Sequence, residues 1–262
     1  MTTLQAIILA VVEGLTEFVP VSSTGHMVLT SSLMNIEESN FTKLFEIAIQ
    51  FGAILAVVVE FRKKFFDFSR MQFYIKLMAA VVPALIFGKL FDDIIDENLG
   101  NPVTIAVIII LGGILLLVLD KMFTSGKIED EAEISTPKAV IIGAFQCLAI
   151  LFPGLSRSAS TIIGGMQQGL SRKLAAEFSF FLAVPTMAAA TSYKLLKHIG
   201  DNGMLSGEEL QTLAIGNLVA FVVSLLAIRS FVSFLSRHGF AIFGYYRIAI
   251  GLLFLGYFWM NH

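Results

Sequence analysis

Long apolar segments constrain the fold of this chain more than any other feature of its sequence. An α-helix needs about 20 mainly apolar residues to cross the hydrocarbon core of a bilayer. Six segments come close to this requirement: 41–60, 74–91, 102–119, 176–196, 210–228 and 240–259. The sequence therefore predicts an all-α integral membrane protein with six transmembrane helices.

The composition agrees with a place in the bilayer. Hydrophobic residues make up 56% of the 262 residues and charged residues only 15%, whereas soluble domains are about 45–50% apolar and about 25% charged. The formal net charge of -2 and the lack of a long basic run argue against a nucleic-acid partner. We therefore expect a single membrane domain over 1–262, with the lipid bilayer as its surroundings.

Two further apolar regions, 4–34 and 138–170, are interrupted near their middle by Pro, Gly, Ser and Thr. Non-helical backbone at membrane depth must be enclosed by protein or line a watery cavity, because lipid cannot satisfy its polar groups. Both regions are therefore predicted to form re-entrant helical hairpins. We call the breaks at residues 20–25 and 153–158 the first tip and the second tip.

The two hairpins resemble each other when the chain is shifted by 133 residues. This register pairs Ala6 with Ala139, Glu13 with Gln146, Leu15 with Leu148, Pro20 with Pro153, and Ser23 with Ser156. Each half, 1–120 and 138–260, would then hold one hairpin and three spans. Because three spans are an odd number, the second half starts on the opposite side of the membrane, and the predicted internal repeat has inverted topology.

Lysine and arginine residues predict the orientation, because they concentrate in cytoplasmic loops. With the N-terminus outside, 12 of the 18 such residues fall on the inner side and 4 on the outer side, while Arg157 and Arg247 lie within apolar segments. Both termini and the acidic loop 92–97 are therefore predicted to be external.

Two acidic residues precede the first tip. Glu13 and Glu17 are four residues apart, so a helix places both carboxylates on one face. Two neighbouring carboxylates in an apolar environment repel each other unless one is protonated or a cation lies between them. We therefore predict that Glu13 and Glu17 bind a hard divalent cation such as Mg²⁺. The alternative is a solvated helix face near the membrane interface.

Ser23 and His26 follow, three residues apart, at and just after the first tip. This spacing is close enough for a nucleophile and a base to act together. Ser23 is the candidate nucleophile or water-orienting hydroxyl, and His26 is the candidate base or proton donor. The alternative for His26 is a hydrogen-bonded core residue, and the residues leave open whether serine or water attacks.

The second tip carries Arg157 at the expected start of a helix. An arginine fork can hold a phosphate in a bidentate manner, and hydroxyl groups and helix N-terminal N–H groups add further donors. The predicted phosphate-binding residues are Arg157, Ser156, Ser158 and Thr161, with Ser22 and Thr24 from the first tip. The alternative for Arg157 is a structural ion pair with one of the glutamates before the first tip.

Three other charged residues have weaker signals. Glu46 and Glu177 are interpreted as first-turn charges of spanning helices near the interface. Arg247 follows two tyrosines and is interpreted either as an interfacial anchor or as a second phosphate contact. The sequence favours neither of these two roles for Arg247.

Three motifs in this order and spacing are similar to those of a known family. They are EGLTE at 13–17, PVSSTGH at 20–26 and PGLSRSAST at 153–161. The segments 45–50 and 177–180 are similar as well. Over nearly its whole length the chain resembles the bacterial undecaprenyl-diphosphate phosphatases, also called bacitracin-resistance proteins.

The resemblance implies six spans with two re-entrant hairpins, an activity that depends on Mg²⁺ or Ca²⁺, and a site open to the periplasmic side of the bacterial inner membrane. The expected reaction is hydrolysis of undecaprenyl diphosphate to undecaprenyl phosphate and phosphate, which recycles the lipid carrier of peptidoglycan synthesis and confers bacitracin resistance. The residues expected to act are Ser23, His26, Glu17 and Arg157. The alternative is a polyprenyl-phosphate transporter or flippase, because inverted repeats with broken helices are typical of transporters. A homodimer is left open.

Overall fold

A computed structural model describes residues 1–91, 101–123 and 126–261. Within these ranges the regular structure is helical, apart from an isolated parallel bridge between Ile128 and Leu170. The acidic loop 92–97, which we predicted to be external, lies outside the described residues. The predicted all-α fold is confirmed.

The described residues form thirteen α-helices and two short 3₁₀ turns, at Phe68–Arg70 and Glu131–Glu133. In chain order the helices are α1 Thr3–Thr16, α2 Ser23–Leu33, α3 Asn40–Ala48, α4 Gln50–Glu60, α5 Arg62–Phe65, α6 Met71–Leu90, α7 Pro102–Met122, α8 Thr136–Ala144, α9 Gln146–Leu151, α10 Arg157–Gln167, α11 Arg172–Asn202, α12 Gly207–His238 and α13 Ala241–Asn261.

Six helical segments of the described chain are long and apolar enough to cross a membrane, as predicted. They are Asn40–Glu60, Phe68–Leu90, Pro102–Met122, Arg172–Asn202, Gly207–Val232 and Ala241–Met260. The first of them contains both α3 and α4, which meet at Ile49. Six spans therefore follow from apolar length, even where one span is locally interrupted.

Two of the spanning helices are longer than their apolar stretches predicted. The hydroxyl of Ser171 accepts the N–H of Leu174 and begins α11, and a capping box between Ser206 and Glu209 begins α12. Side-chain caps satisfy the free N–H groups of a first turn. The apolar stretch thus gives the part of the helix that suits lipid, whereas the polar caps set where the helix starts.

The helices on either side of the two tips are too short to span a bilayer. α1 has 14 residues and α2 has 11, and a residue adds only about 1.5 Å to a helix. Around the second tip, α8 and α9 before it have 9 and 6 residues, and α10 after it has 11. Other helices pack around these short helices, so that Phe18, before the first tip, and Val21, within it, are buried.

Aromatic side chains pack next to the first tip. Phe18 packs edge-to-face against Phe180 of α11, with ring centroids 5.3 Å apart, and Phe180 contacts Phe231 of α12 at 6.0 Å. Large buried rings contribute much apolar area and have few rotamers. This packing fixes the first tip against two spanning helices.

Ion pairs join the helices at the end of the molecule that is predicted to be cytoplasmic. They are Lys64–Glu177, Arg70–Glu131, Arg172–Asp120 and Arg229–Glu60.

The structure places two glutamates away from the first turn of their helices. Glu177 lies in the second turn of α11 and pairs with Lys64 at 2.6 Å, and Glu46 lies near the end of α3. The interpretation of both glutamates as first-turn charges was wrong: α11 begins at Arg172, four residues before the predicted stretch 176–196, and α3 begins at Asn40, six residues before Glu46.

Candidate active site

Each of the two tips ends in a turn of the same kind. Ser22 and Ser156 both have positive φ, 75° and 80°, a conformation that is uncommon for residues other than glycine. The hydroxyl of Ser22 accepts the N–H of Gly25, and the hydroxyl of Ser156 accepts the N–H of Ala159, both at 3.2 Å. Each serine therefore caps the helix that leaves its tip, and the strained turn places that helix N-terminus at the site.

These caps differ from the predicted register by one residue. Sequence comparison placed Ser23 opposite Ser156, whereas in the structure Ser22 and Ser156 have the same capping role. The second tip has one more residue between its proline and its cap, and it accommodates Gly154 at a φ of 101°. Only a few positions match between the two hairpins, so the sequence comparison does not reveal a one-residue insertion in a tip.

Glu17 links the two tips. Its Oε2 accepts a short hydrogen bond from the hydroxyl of Ser23, and its Oε1 accepts Nη2 of Arg157 at 2.8 Å. Glu17 and Ser23 are buried, so the carboxylate has little water to compete with these donors. One acidic group is thus placed to orient a hydroxyl of the first tip and a cation of the second.

Arg157 is both paired and still able to bind. Besides Glu17, its Nη1 donates to the backbone carbonyl of Ser179 at 3.3 Å. Its Nε is buried and has no hydrogen-bond partner in the described part of the chain, which is a costly state for a charged donor. The ion pair that we weighed as an alternative is therefore present, and the guanidinium retains a donor for an anion.

Two other predicted phosphate ligands, one in the second tip and one in the helix after it, hold the tip in place. Ser158 donates to the carbonyl of Val19 in the chain before the first tip, at 3.0 Å. Thr161 contacts the hydroxyl of Ser179 at 2.5 Å and is fully buried. These two predicted phosphate ligands do not line the cavity described below, whereas Ser156 does.

His26 makes its hydrogen bonds with groups other than Ser23. Its Nδ1 contacts the backbone carbonyl of Ser22 at 2.7 Å, and its Nε2 contacts the hydroxyl of Tyr246 at 2.9 Å. Because a carbonyl only accepts, Nδ1 carries the proton, and Nε2 accepts the hydroxyl proton of Tyr246 when the ring is neutral. The structure therefore shows no hydrogen bond between the predicted nucleophile and base, and it adds Tyr246, to which the sequence assigned no role.

Glu13 fits a cation site. Both of its carboxylate oxygens are buried without a hydrogen-bond partner among the described residues, and its carboxyl group lies beside that of Glu17. The described chain contains no group of three or more His, Cys, Asp or Glu side chains that could hold a metal. Two carboxylates suit Mg²⁺, which completes its shell with water and substrate oxygens.

A cavity of about 560 Å³ opens at the tips. Its polar end is lined by Glu17, Ser22, Ser23, Thr24, Ser156 and Arg157, and its wall by apolar residues of α6 and α11 such as Ala84, Leu85, Ala189 and Ala190. A second cavity of about 490 Å³ shares Thr24 and Gln50 with it and extends to the chain segment before α3. A charged polar end beside an apolar wall suits an amphiphile with an anionic head group.

Arg247 has neither of the roles that the sequence suggested. Its side chain is completely buried, and its guanidinium donates to the backbone carbonyls of Pro20 at 3.2 Å, Gly154 at 2.8 Å and Leu155 at 2.9 Å. An interfacial anchor would reach the membrane surface, and a phosphate contact would reach the cavity. Arg247 instead contacts the backbone of both tips.

Comparison with known proteins gives the family of this chain. A family described as bacitracin resistance protein BacA matches residues 6–253. The undecaprenyl-diphosphatase of Porphyromonas gingivalis is 53% identical over 268 residues, covering 96% of this chain and 95% of that protein. Those of Flavobacterium johnsoniae and Bdellovibrio bacteriovorus are 52% and 46% identical, covering 97% and 100% of this chain and 96% and 98% of theirs. The motifs indicated the same family, and this chain belongs to the bacitracin resistance protein BacA family.

Proposed function

We propose that this chain is an undecaprenyl-diphosphatase, which hydrolyses undecaprenyl diphosphate to undecaprenyl phosphate and inorganic phosphate. Its relatives carry that name. The observation that carries the proposal is the contact of Glu17 with both Ser23 and Arg157 at the polar end of the cavity. The experiment that tests it is phosphate release from undecaprenyl diphosphate by the purified protein. The product would be the lipid carrier of peptidoglycan synthesis, and its recycling would confer bacitracin resistance.

The reaction needs mainly positioning and neutralisation of charge. Arg157 would bind the terminal phosphate, with further donors from Ser156 and Thr24. The oxygen of Ser23, or a water molecule that Ser23 orients, would form a bond to the terminal phosphorus while the bond to the bridging oxygen breaks. The bridging oxygen would leave with undecaprenyl phosphate, and Glu17 would accept the proton of the attacking group. If Ser23 attacks, water would then hydrolyse the phosphoserine.

The isoprenoid chain would lie along the apolar wall that α6 and α11 form. Leu85 and Ala189 belong to this wall, which is continuous with the polar end. Burial of apolar surface contributes about 25 cal/mol for each Å², so the tail would supply binding free energy while the tips act on the head group. This arrangement supports a lipid diphosphate over a small soluble phosphate ester as substrate.

We also propose that Glu13 and Glu17 hold Mg²⁺ or Ca²⁺, because the orphaned oxygens of Glu13 require a partner. When bound, the cation would neutralise charge on the diphosphate. Glu13→Gln is expected to raise the Mg²⁺ concentration for half-maximal thermal stabilisation by about 10-fold, since an amide is a poorer ligand for a hard cation. Thermal unfolding at a series of Mg²⁺ concentrations measures this. An unchanged midpoint in Glu13→Gln would contradict the assignment.

The contribution of His26 is expected to be smaller than that of the groups at the cavity. His26→Ala should lower kcat by about 10²-fold, the lower end of the range for lost acid–base help. The pH profile separates two roles: loss of one limb indicates a base or proton donor, whereas an equal decrease at every pH indicates that His26 only supports the turn at Ser22. A wild-type kcat in His26→Ala would exclude both roles.

The architecture that we propose has re-entrant hairpins and an inverted repeat of 1–120 and 138–260. The short helices beside the tips, their burial and the shared capping turn at Ser22 and Ser156 support it. We further propose that the protein lies in the bacterial inner membrane with both termini and the cavity mouth on the periplasmic side. The cavities reach Lys89 and Lys194, at the end predicted to be external.

Thiol labelling tests this orientation. Glu38 precedes α3 and Lys63 follows α4, and both are exposed. In a Cys147→Ala background, which removes the only native cysteine, Glu38→Cys should react with an impermeant reagent on intact cells. Lys63→Cys should react only after permeabilisation. The opposite pattern would place the cavity mouth in the cytoplasm.

A further inference from the structure

We propose that Arg247 is a positioning residue that holds the two tips at a fixed separation by binding the backbone carbonyls of both. The inference rests on the proposed function, because the tips carry the groups that act on the diphosphate. Nη1 donates to Pro20 of the first tip and to Leu155 of the second, and Nη2 donates to Gly154. Nε donates to the carbonyl of Ile109 in α7 at 3.1 Å.

The chemistry of these contacts explains why an arginine is needed. The tip carbonyls belong to non-helical backbone, so they lack the helix partners that buried carbonyls normally have. A buried charge is tolerated only when its donors are satisfied. The planar fork of Arg247 meets both requirements at once, whereas a lysine is a point charge with one nitrogen and cannot reach both tips and α7 from one position.

The packing of α7 shows independently that the fold makes room for this side chain. A Cβ on Gly112 would overlap Nη2 and Cζ of Arg247. A Cβ on Gly113 would lie 2.9 Å from the Cβ of Arg247 and 2.8 Å from the carbonyl of Gly244. Two consecutive glycines thus allow α13 to approach α7 closely enough for the guanidinium to enter between the tips.

The link through Arg247 differs from the other links between the tips. The ion pair of Glu17 with Arg157 is made by two groups that would act on the diphosphate, so it does not hold the tips independently of the reaction. The contacts of Arg247 are to backbone and involve none of the reacting groups. They would persist through the reaction, together with the bond from Ser158 to Val19.

Removing the link should therefore affect the reaction more than substrate binding. Arg247→Met keeps the length of the side chain without its donors and should lower kcat per folded molecule by about 10²-fold, because misplacement by about 1 Å can cost this much. KM should change by less than about 3-fold, since the tail still binds the apolar wall. Arg247→Lys should restore part of the loss. Arg229→Gln, which removes an exposed arginine from the other end, should leave kcat unchanged.

A second variant leaves Arg247 in place. Gly112→Ala should displace the guanidinium and lower kcat in the same direction, whereas Gly256→Ala in α13 should not, because no atom lies within 4 Å of the added Cβ. A wild-type kcat per folded molecule in both Arg247→Met and Gly112→Ala would overturn the proposal, even if thermal stability falls.

A distance measurement separates this inference from the proposed function. Spin labels at Leu33→Cys and Gln167→Cys, exposed at the ends of the helices that leave the tips, should give a narrow distance distribution in a Cys147→Ala background. Arg247→Met should broaden or shift it, and Gly256→Ala should not. If the wild type releases no phosphate, the proposed function fails while this measurement still decides the role of Arg247. An unchanged distribution in Arg247→Met would overturn that role.

Discussion

Replacement of Arg157 by alanine is expected to lower kcat for undecaprenyl diphosphate hydrolysis by about 10³–10⁵-fold, the range known for arginines that stabilise phosphoryl transfer. The structure places this guanidinium at the polar end of the cavity, between Glu17 and the backbone carbonyl of Ser179. Without it, the charge that develops on the terminal phosphate lacks its bidentate donor. Phosphate release per folded molecule, with purity and thermal unfolding checked in parallel, measures the effect.

Two further variants separate the fork from mere charge. Arg157→Lys should recover only part of the activity, because an ammonium group is a point charge and cannot donate in a planar pair. Arg172→Gln removes an arginine that pairs with Asp120 at the other end of the molecule, so it should keep nearly all activity. Equal activities of Arg157→Ala and the wild type would exclude a role for Arg157 in the reaction.

Glu17→Gln should lower kcat by about 10³-fold, within the range for loss of a general base. The carboxylate accepts hydrogen bonds from Ser23 and Arg157 at the same time. An amide of the same shape has one acceptor oxygen and no charge, so it cannot take a proton or keep both contacts. Glu60→Gln, which alters the ion pair with Arg229 at the other end of the molecule, is the matched control and should stay close to the wild type.

The contact between Glu17 and Ser23 gives a further check on this prediction. If the two residues act as a unit, the double variant Glu17→Gln/Ser23→Ala should lose little more activity than Ser23→Ala alone. Fully multiplicative losses would show that Glu17 acts independently of Ser23. In that case its role as the proton acceptor for the hydroxyl would be wrong.

Much of the fold could be predicted from local sequence. Apolar length predicted six spans because a single segment that crosses lipid must satisfy its backbone polar groups internally, which an α-helix does. Proline, glycine and serine in regions 4–34 and 138–170 predicted where helices break. The same breaks carry Glu17, Ser23 and Arg157, which the structure brings together. Polar residues next to the predicted helix breaks therefore indicated the polar end of the cavity.

The remaining parts of the site depend on contacts between distant segments. Tyr246 meets His26 across 220 positions of the chain, and Arg247 reaches the tips from the last helix. No periodicity connects such residues, so the sequence assigned no role to Tyr246 and left two roles open for Arg247. The direction of Ser158 depends on its contact with Val19 beside the first tip, and that of Thr161 on how α10 packs against α11. Composition and spacing cannot distinguish a hydroxyl that faces the cavity from one that holds the tip.

The measurement that tests the central claim most directly is the fate of undecaprenyl diphosphate on the purified wild-type chain. In detergent with Mg²⁺ or Ca²⁺, we expect release of one inorganic phosphate per lipid and accumulation of undecaprenyl phosphate, with Arg157→Ala as the inactive control. The same preparation in vesicles tests the transporter alternative. Movement of the lipid across the vesicle membrane without any release of phosphate would contradict the account.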